Sequence, residues 1–303
     1  LRLTGDWSEA YSQLTGTNPS QQDFEQPFFL VENKLNYIGK TKSNQFAFNS
    51  YLRYQSQPQE VCFSDGDSLM QNQQRDEKRF YTTNDIQMAY YSGPSELSLT
   101  AGFKLETNRI RSSMNEVPEF LKDSVTSSQW NYLEAGVFVR PSYVFKGKGY
   151  NINLTVPLIW QKTDAGKQGS DKQSFHHFVW TPSLRFYWKF HHFWEFMATG
   201  SYKHSPTSYM NLNDTYYYKN RNLLQRGIDG LGMDKQTQGS LNLYYRNPFH
   251  AFWSRLNMTY TQNKSDLISG YDFIGTQPIY TWQMANRSYK QFNVRGNVGK
   301  IVD

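Results

Sequence analysis

The sequence predicts an all-β chain folded as a transmembrane antiparallel β-barrel. Three observations predict it: apolar and polar residues alternate at period two, the alternating runs are long, and short turns alternate with long polar connections. Of the 303 residues 17% are aromatic, with 22 Tyr, 21 Phe and 8 Trp, yet the mean hydropathy is -0.75. A buried core of this size would draw more on Leu, Ile and Val. Aromatics set among Asn, Gln, Ser and Thr suit strands with one face in lipid and the other in water.

The alternation recurs from segment to segment. Phe46, Phe48, Leu52 and Tyr54 share a face broken by Ser50, against Gln45, Asn49, Arg53 and Gln55. Leu97, Leu99, Ala101, Phe103 and Leu105 oppose Ser98, Thr100, Lys104 and Glu106. Leu133, Ala135, Val137, Val139, Pro141, Tyr143 and Phe145 form a longer stripe. The clearest pattern sets Tyr150, Ile152, Leu154, Val156, Leu158 and Trp160 against Asn151, Asn153 and Thr155. Further stripes start at Phe178, Trp194, Leu241 and Phe252. Many runs span about 10 to 14 residues. A globular strand has about 5 or 6, and a tilted strand crossing a bilayer about 9 to 11. About twelve strands are expected, the last two over residues 279–285 and 289–298.

The connections agree. Tight turns are predicted at Gly39-Lys40-Thr41-Lys42, Ser92-Gly93-Pro94-Ser95, Lys146-Gly147-Lys148-Gly149, Phe190-His191-His192 and Asn247-Pro248-Phe249. Between them lie long polar segments near residues 56–78, 111–129, 163–174 and 205–235, as when one rim of a barrel carries turns and the other loops. Aromatics gather beside the tight turns, for example Phe186, Trp188, Phe190, Phe193 and Trp194, and predict an interfacial girdle on the periplasmic side.

Other chemistries find little support. Cys62 is the single cysteine, so an intrachain disulfide is excluded. The 32 basic and 26 acidic residues are dispersed, without the compact basic patch that a nucleic-acid partner requires. His176-His177 cannot readily share an ion, because neighbours in a strand point to opposite faces. Asp65-Gly66-Asp67 and the aspartates at 229 and 234 lack the spacing of a calcium loop. Gly147-Lys148-Gly149 is a turn rather than a phosphate loop, and there is no GxSxG elbow. Neither enzymatic activity nor a cofactor is expected. No run of about 18 apolar residues could form a membrane helix, which says nothing against a barrel.

Asn222-Leu223-Leu224, Gly227 and Gly230-Leu231 are followed by Leu241-Asn242-Leu243-Tyr244-Tyr245-Arg246-Asn247-Pro248, then by Phe252-Trp253 and Met258-Thr259-Tyr260-Thr261. This region resembles the barrel of TonB-dependent receptor-like outer-membrane proteins of the Bacteroidetes type, related to SusC and RagA. The strand around Ala101-Gly102-Phe103-Lys104-Leu105-Glu106 is similar to strands of that family. Met233-Asp234-Lys235 stands where the family commonly carries a proline. The resemblance implies a barrel of about 22 strands around a plugged lumen. It also implies the bacterial cell outer membrane, with lipid and lipopolysaccharide around the wall, and partners that include TonB and a surface lipoprotein lid. Residues 1–303 are then expected to be one barrel segment of a longer protein whose plug and N-terminal domains lie outside it.

The implied function is uptake of a bulky nutrient such as a glycan or peptide. Two alternatives stay open: a barrel serving as a binding or assembly platform for a partner protein, and a soluble carbohydrate-binding sandwich. The expected ligand contacts are Tyr209, Tyr216, Tyr217, Tyr218, Arg221 and Arg226, in the longest polar loop. Tyrosine gives broad, rigid contact at low entropic cost, and arginine pairs with carboxylates.

Overall fold

The computed structural model describes residues 2–14, 20–65, 70–115, 127–169, 173–206, 215–220, 223–228, 230, 232–275 and 277–300. Strands β1 (Arg2–Leu14), β2 (Ser20–Lys40), β3 (Asn44–Asp65), β4 (Met70–Ser92), β5 (Ser95–Asn115) and β6 (Ser127–Gly147) form an antiparallel meander. It continues through β7 (Tyr150–Thr155), β8 (Leu158–Lys167), β9 (Gln173–Trp180), β10 (Ser183–His191) and β11 (Trp194–Pro206). A small hairpin, β12 (Tyr216–Asn220) and β13 (Leu223–Arg226), precedes the last long strands β14 (Met233–Asn247), β15 (Phe252–Ile274) and β16 (Gln277–Lys300).

Two pairs of these strands are single spans interrupted by proline. Thr155 pairs with Ser142 and Leu158 with Val139, so β7 and β8 keep one register on β6 across Pro157. Likewise Ser183 opposes Thr155 while Trp180 opposes Leu158, so β9 and β10 keep one register across Pro182. Counted this way, the described residues make twelve spans; the expected total of about twelve equals this number only because it leaves out β1 and counts β16 twice. The local cost is visible in the ladder. Val156 donates to the Pro141 carbonyl at 3.0 Å, Thr181 to Pro157 at 3.1 Å and Tyr202 to Pro182 at 3.0 Å. In each pair the return bond is missing, because proline has no N–H. Above Pro182 the wall divides: β9 pairs with β8 alone, while the upper part of β11 pairs with β14.

The outer face is apolar over its lower half. Along β4 the outward residues run Tyr90, Met88, Ile86, Asn84, Thr82 and Phe80 before the first charge, Lys78. Five two-residue steps on a strand tilted about 45° rise about 23 Å, close to the height of a barrel's apolar band. Met88, Leu99, Val137 and Trp160 are all exposed on this face. The break at Ser50 is answered in place. The Ser50 hydroxyl donates to Asn84 Oδ1 at 2.6 Å, Asn84 Nδ2 to Thr82 Oγ1 at 3.1 Å, and Thr82 Oγ1 to the Tyr51 carbonyl at 3.0 Å. The expected girdle is also present on the turn side. Trp188 and Phe190 lie 5.0 Å apart, Trp194 and Tyr245 4.8 Å, and Tyr245 and Phe252 5.9 Å between ring centroids.

Several expectations require correction. The polar segments near 56–78 and 163–174 are not mainly loops; β3, β4, β8 and β9 extend through much of them as paired strands, and of the segment near 111–129 the described residues 111–115 and 127–129 are paired in β5 and β6. Above the lipid, both faces of a hairpin meet water, so the apolar stripe ends while the backbone ladder goes on. The two strands expected at 279–285 and 289–298 are one, β16. A register shift between the pairs Ser265–Arg287 and Leu267–Met284 inserts an extra residue, which reverses the phase of alternation and divides the stripe. β1 was not anticipated.

Two outcomes follow. Leu154 is exposed on the outer face and Asn153 faces inward, beside Arg185 and Tyr187. Leu154→Arg is expected to cost about 2–4 kcal/mol in folding into lipid vesicles, and Asn153→Arg much less; equal costs would refute the assigned faces. Among the described residues β1 and β16 do not pair with each other, leaving open edges in the wall. Residues 1–303 expressed alone are therefore expected not to give a monodisperse, heat-modifiable monomer in detergent, and recovery of one would show a self-contained barrel.

Candidate functional site: the inner wall and the loop at its mouth

The inner face is polar because every second residue of each span turns away from lipid. Several of its charges are matched by neighbouring side chains. Glu106 and Glu134 stand directly opposite each other on β5 and β6, an arrangement that repels unless each carboxylate finds a cation. Arg79 lies 2.8 Å from Glu106, while Lys104 pairs with Glu134. The Tyr132 hydroxyl donates to the second Glu134 oxygen at 2.7 Å. Nearer the mouth Asn108 donates to Glu77 at 3.1 Å, and Arg75 lies 3.7 Å from the same carboxylate. On the other flank Asn257 and Arg255 both donate to Asn242, at 2.7 and 3.1 Å. Thr163 and His177 Nε2 are 3.2 Å apart on the inner face, whereas the neighbouring His176 is exposed on the outer one. Among the described residues no three His, Cys, Asp or Glu side chains gather to hold a metal ion.

The β12–β13 hairpin, within the segment expected to contact ligand, folds onto this inner wall. Leu224 is fully buried and packs with Tyr218, Val61 of β3, Met114 of β5 and Ile279 of β16. The Gln73 side chain on β4 bonds the Tyr218 backbone twice, accepting from its N–H and donating to its carbonyl. On the far side β13 adds in parallel to the upper end of β16, pairing Leu224 with Ile279, Gln225 with Tyr280 and Arg226 with Thr281. The hairpin thus ties the β16 edge to the inner faces of β3, β4 and β5.

Of the six expected contacts, Tyr217 and Tyr218 are buried in this packing. The Arg75 guanidinium sits 5.4 Å from the Tyr217 ring centre. Tyr216 is half-buried and Arg226 exposed, and the two form a pair with the guanidinium 5.2 Å from the ring centre. Arg226 also donates to the Tyr216 hydroxyl at 3.4 Å. Tyr209 and Arg221 lie outside the described residues. The contributions of Gln73, Val61 and Met114 have no local signal in sequence, since their part is set only by where the hairpin lands.

No family model matches the sequence, and no curated protein matches it. Solved structures do match. The copper transporter OprC aligns with 98% of this chain and 53% of its own, at 9% identity and a TM-score of 0.55. BauA, the ferric preacinetobactin receptor from Acinetobacter baumannii, aligns with 96% of this chain and 51% of its own, at 11% identity and 0.50. FyuA, the ferric yersiniabactin uptake receptor from Yersinia pestis, aligns with 93% and 44%, at 10% identity and 0.50. The fold is that of TonB-dependent outer-membrane receptors. This chain spans about half the length of those it matches. With its exposed apolar band and aromatic girdle, such a wall belongs in the bacterial outer membrane.

Burial pushes the Tyr217 hydroxyl above the usual tyrosine range, and Arg75 partly offsets that shift. A raised pKa in the packed state means the packing is at full strength below the ordinary tyrosine pKa and weakens as pH climbs through the raised one. Hairpin docking is therefore expected to loosen above about pH 10, seen as faster protease nicking of the loop, and Tyr217→Phe should remove that step. Leu224→Ala should loosen the loop at neutral pH by about 2–5 kcal/mol while the strand signature of the sheet in circular dichroism is unchanged. Unchanged nicking in Leu224→Ala would show that the hairpin is not held by this contact.

Proposed function

We propose that this chain is part of an energised outer-membrane receptor that takes up a bulky nutrient, a glycan or a peptide. The observation that carries the reading is the pairing of a polar inner wall, its facing carboxylates each answered by a cation, with a tyrosine- and arginine-bearing hairpin folded into its mouth. A large polar cargo needs a passage whose walls offer hydrogen bonds but no unpaired charge to trap it. In this proposal the subtype is the one related to SusC and RagA, in a larger barrel of about 22 strands around a plug. TonB and a surface lipoprotein lid act through regions beyond these residues. Transport rather than catalysis fits the copper and ferric-chelate receptors that share the fold, though their cargoes differ in kind.

Tyr216 and Arg226 are the first contacts in this reading, joined by Tyr209 and Arg221 from the same loop. Tyr217 and Tyr218 reach ligand once the hairpin lifts from Gln73. Replacing Tyr216 with Ser and Arg226 with Gln is expected to weaken uptake of labelled oligosaccharide or peptide about tenfold, with surface display unchanged. Uptake should also vanish in cells lacking TonB. Normal uptake by the double variant would remove the hairpin as a ligand contact, and uptake without TonB would favour the platform reading.

A further inference from the structure

Charge is distributed unevenly around the inner wall. Glu77, Glu106 and Glu134, on β4 to β6, each have a cation beside them. The wall made by β7, β10, β11 and β14 to β16 is built differently. From the level of Thr155 down to the turns, the inward side chains of those six strands include one carboxylate, Glu195, and Lys189 lies 3.7 Å from it. Most of the others are amides and hydroxyls. Set among them are four arginines, Arg185, Arg246, Arg255 and Arg295, all exposed to the lumen.

Register puts these arginines on four successive levels. Arg246 opposes Trp253, and Arg255 stands two residues farther from the turn. Arg295 opposes Asn257, one level higher, and Arg185 shares the level of Thr199, Ser240 and Thr259, higher again. Each level is a two-residue step, a rise of about 5 Å on a strand tilted about 45°. Arg255 is a diagonal neighbour of both Arg246 and Arg295, at about 7–8 Å, where like charges repel. Among the described residues no carboxylate pairs with any of the four. Arg255 donates to the neutral Asn242.

The highest of the four stands between two hollows of the inner face, of about 490 and 330 Å³, which share Asn153 and Arg185. Lys146 and Glu96 also line the first, so two cations meet one carboxylate there, and neither is in ion-pair contact with it. In the same hollow Asn151 Oδ1 is buried and accepts no hydrogen bond among the described residues. Thr155, Ser183, Thr199 and Ser201 line the second hollow. Hydroxyls and amides both donate and accept, so such a lining matches sugar hydroxyls better than the apolar side chains of a peptide.

We infer that the cargo is an acidic oligosaccharide, its carboxylates taken first by Arg185 and then by the arginines below. This rests on the uptake reading and narrows it. A guanidinium binds a carboxylate through two parallel hydrogen bonds, while Asn151 and Asn153 hold hydroxyls of the same sugar. One tight cluster of cations would trap an anion. Arginines set one to a level instead give each acidic group a further contact nearer the periplasm, as in anion-conducting pores.

The test offers labelled oligogalacturonate or its methyl ester, the same sugar chain with and without charge, to intact cells displaying the complete receptor. Uptake is counted as the part lost in cells lacking TonB. The unaltered receptor should take up the acid at least about tenfold better than the ester, a preference that shrinks as salt is raised. The double variant Arg185→Gln, Arg255→Gln should lose that preference. So should Asn153→Asp, which sets a carboxylate against Arg185 and barely changes side-chain volume. Antibody labelling of the cell surface reports that each variant is assembled. Undiminished preference in both displayed variants, or equal uptake of acid and ester by the unaltered receptor, would overturn the acidic cargo and leave the uptake reading standing. Uptake of neither oligosaccharide would overturn the acidic cargo as well, and uptake of labelled peptide then decides the reading beneath it.

Discussion

Hydrocarbon offers no hydrogen bonds, so each backbone N–H and C=O in the apolar band must find its partner within the sheet. That demand explains why neighbouring spans stay in register over their full length, and why interruptions are few and local. The prolines at 141, 157 and 182 fall on three adjacent spans, and each still accepts a bond through its carbonyl. What each lacks is the return bond, so one opposing carbonyl per proline goes without its ladder donor. Side chains meet the same demand. Ser50 and Asn84 are tolerable on the lipid face because Thr82 and the Tyr51 carbonyl complete their chain of donors and acceptors.

The same constraint decides what the sequence could reveal. Within the band one face must be apolar, so the stripes at 46–54, 97–105 and 150–160 were legible, as were the tight turns and the aromatics beside them. Above the band, strands persist on backbone pairing alone, and the residues near 56–65 and 70–78 look like loop although they are paired. The bulge in β16 hid one strand as two by shifting the phase. The division of the wall above Pro182 depends on which neighbour each strand keeps, a property of the assembled sheet. Pro182 at least marks the place, since the β9 and β11 edges part where its N–H is missing.

The site was legible in part for a similar reason. Period two identifies Glu106 and Glu134 as inward-facing, but only register shows that they oppose each other and that Arg79 and Lys104 separate their charges. This part of the inner wall therefore combines high polarity with paired charge. A wall of unpaired carboxylates would hold a cationic cargo and repel an anionic one, whereas matched pairs leave hydrogen-bonding groups for either.

The hairpin at the mouth is held by a few contacts rather than by ladders that run the length of a span. Complete burial of Leu224 contributes about 1.5–3 kcal/mol, and the two bonds between Gln73 and the Tyr218 backbone about 1 kcal/mol each. The conformational entropy of the ordered loop opposes these gains, whereas the sheet is held by long ladders of backbone bonds. By contrast β3, β4 and β5 are tied along more than one ladder and cannot shift without breaking many bonds in lipid. Movement at the mouth is thus confined to the element whose attachments lie outside the apolar band. A ligand that binds the released hairpin about 5 kcal/mol more tightly than the docked one is enough to invert the balance between them.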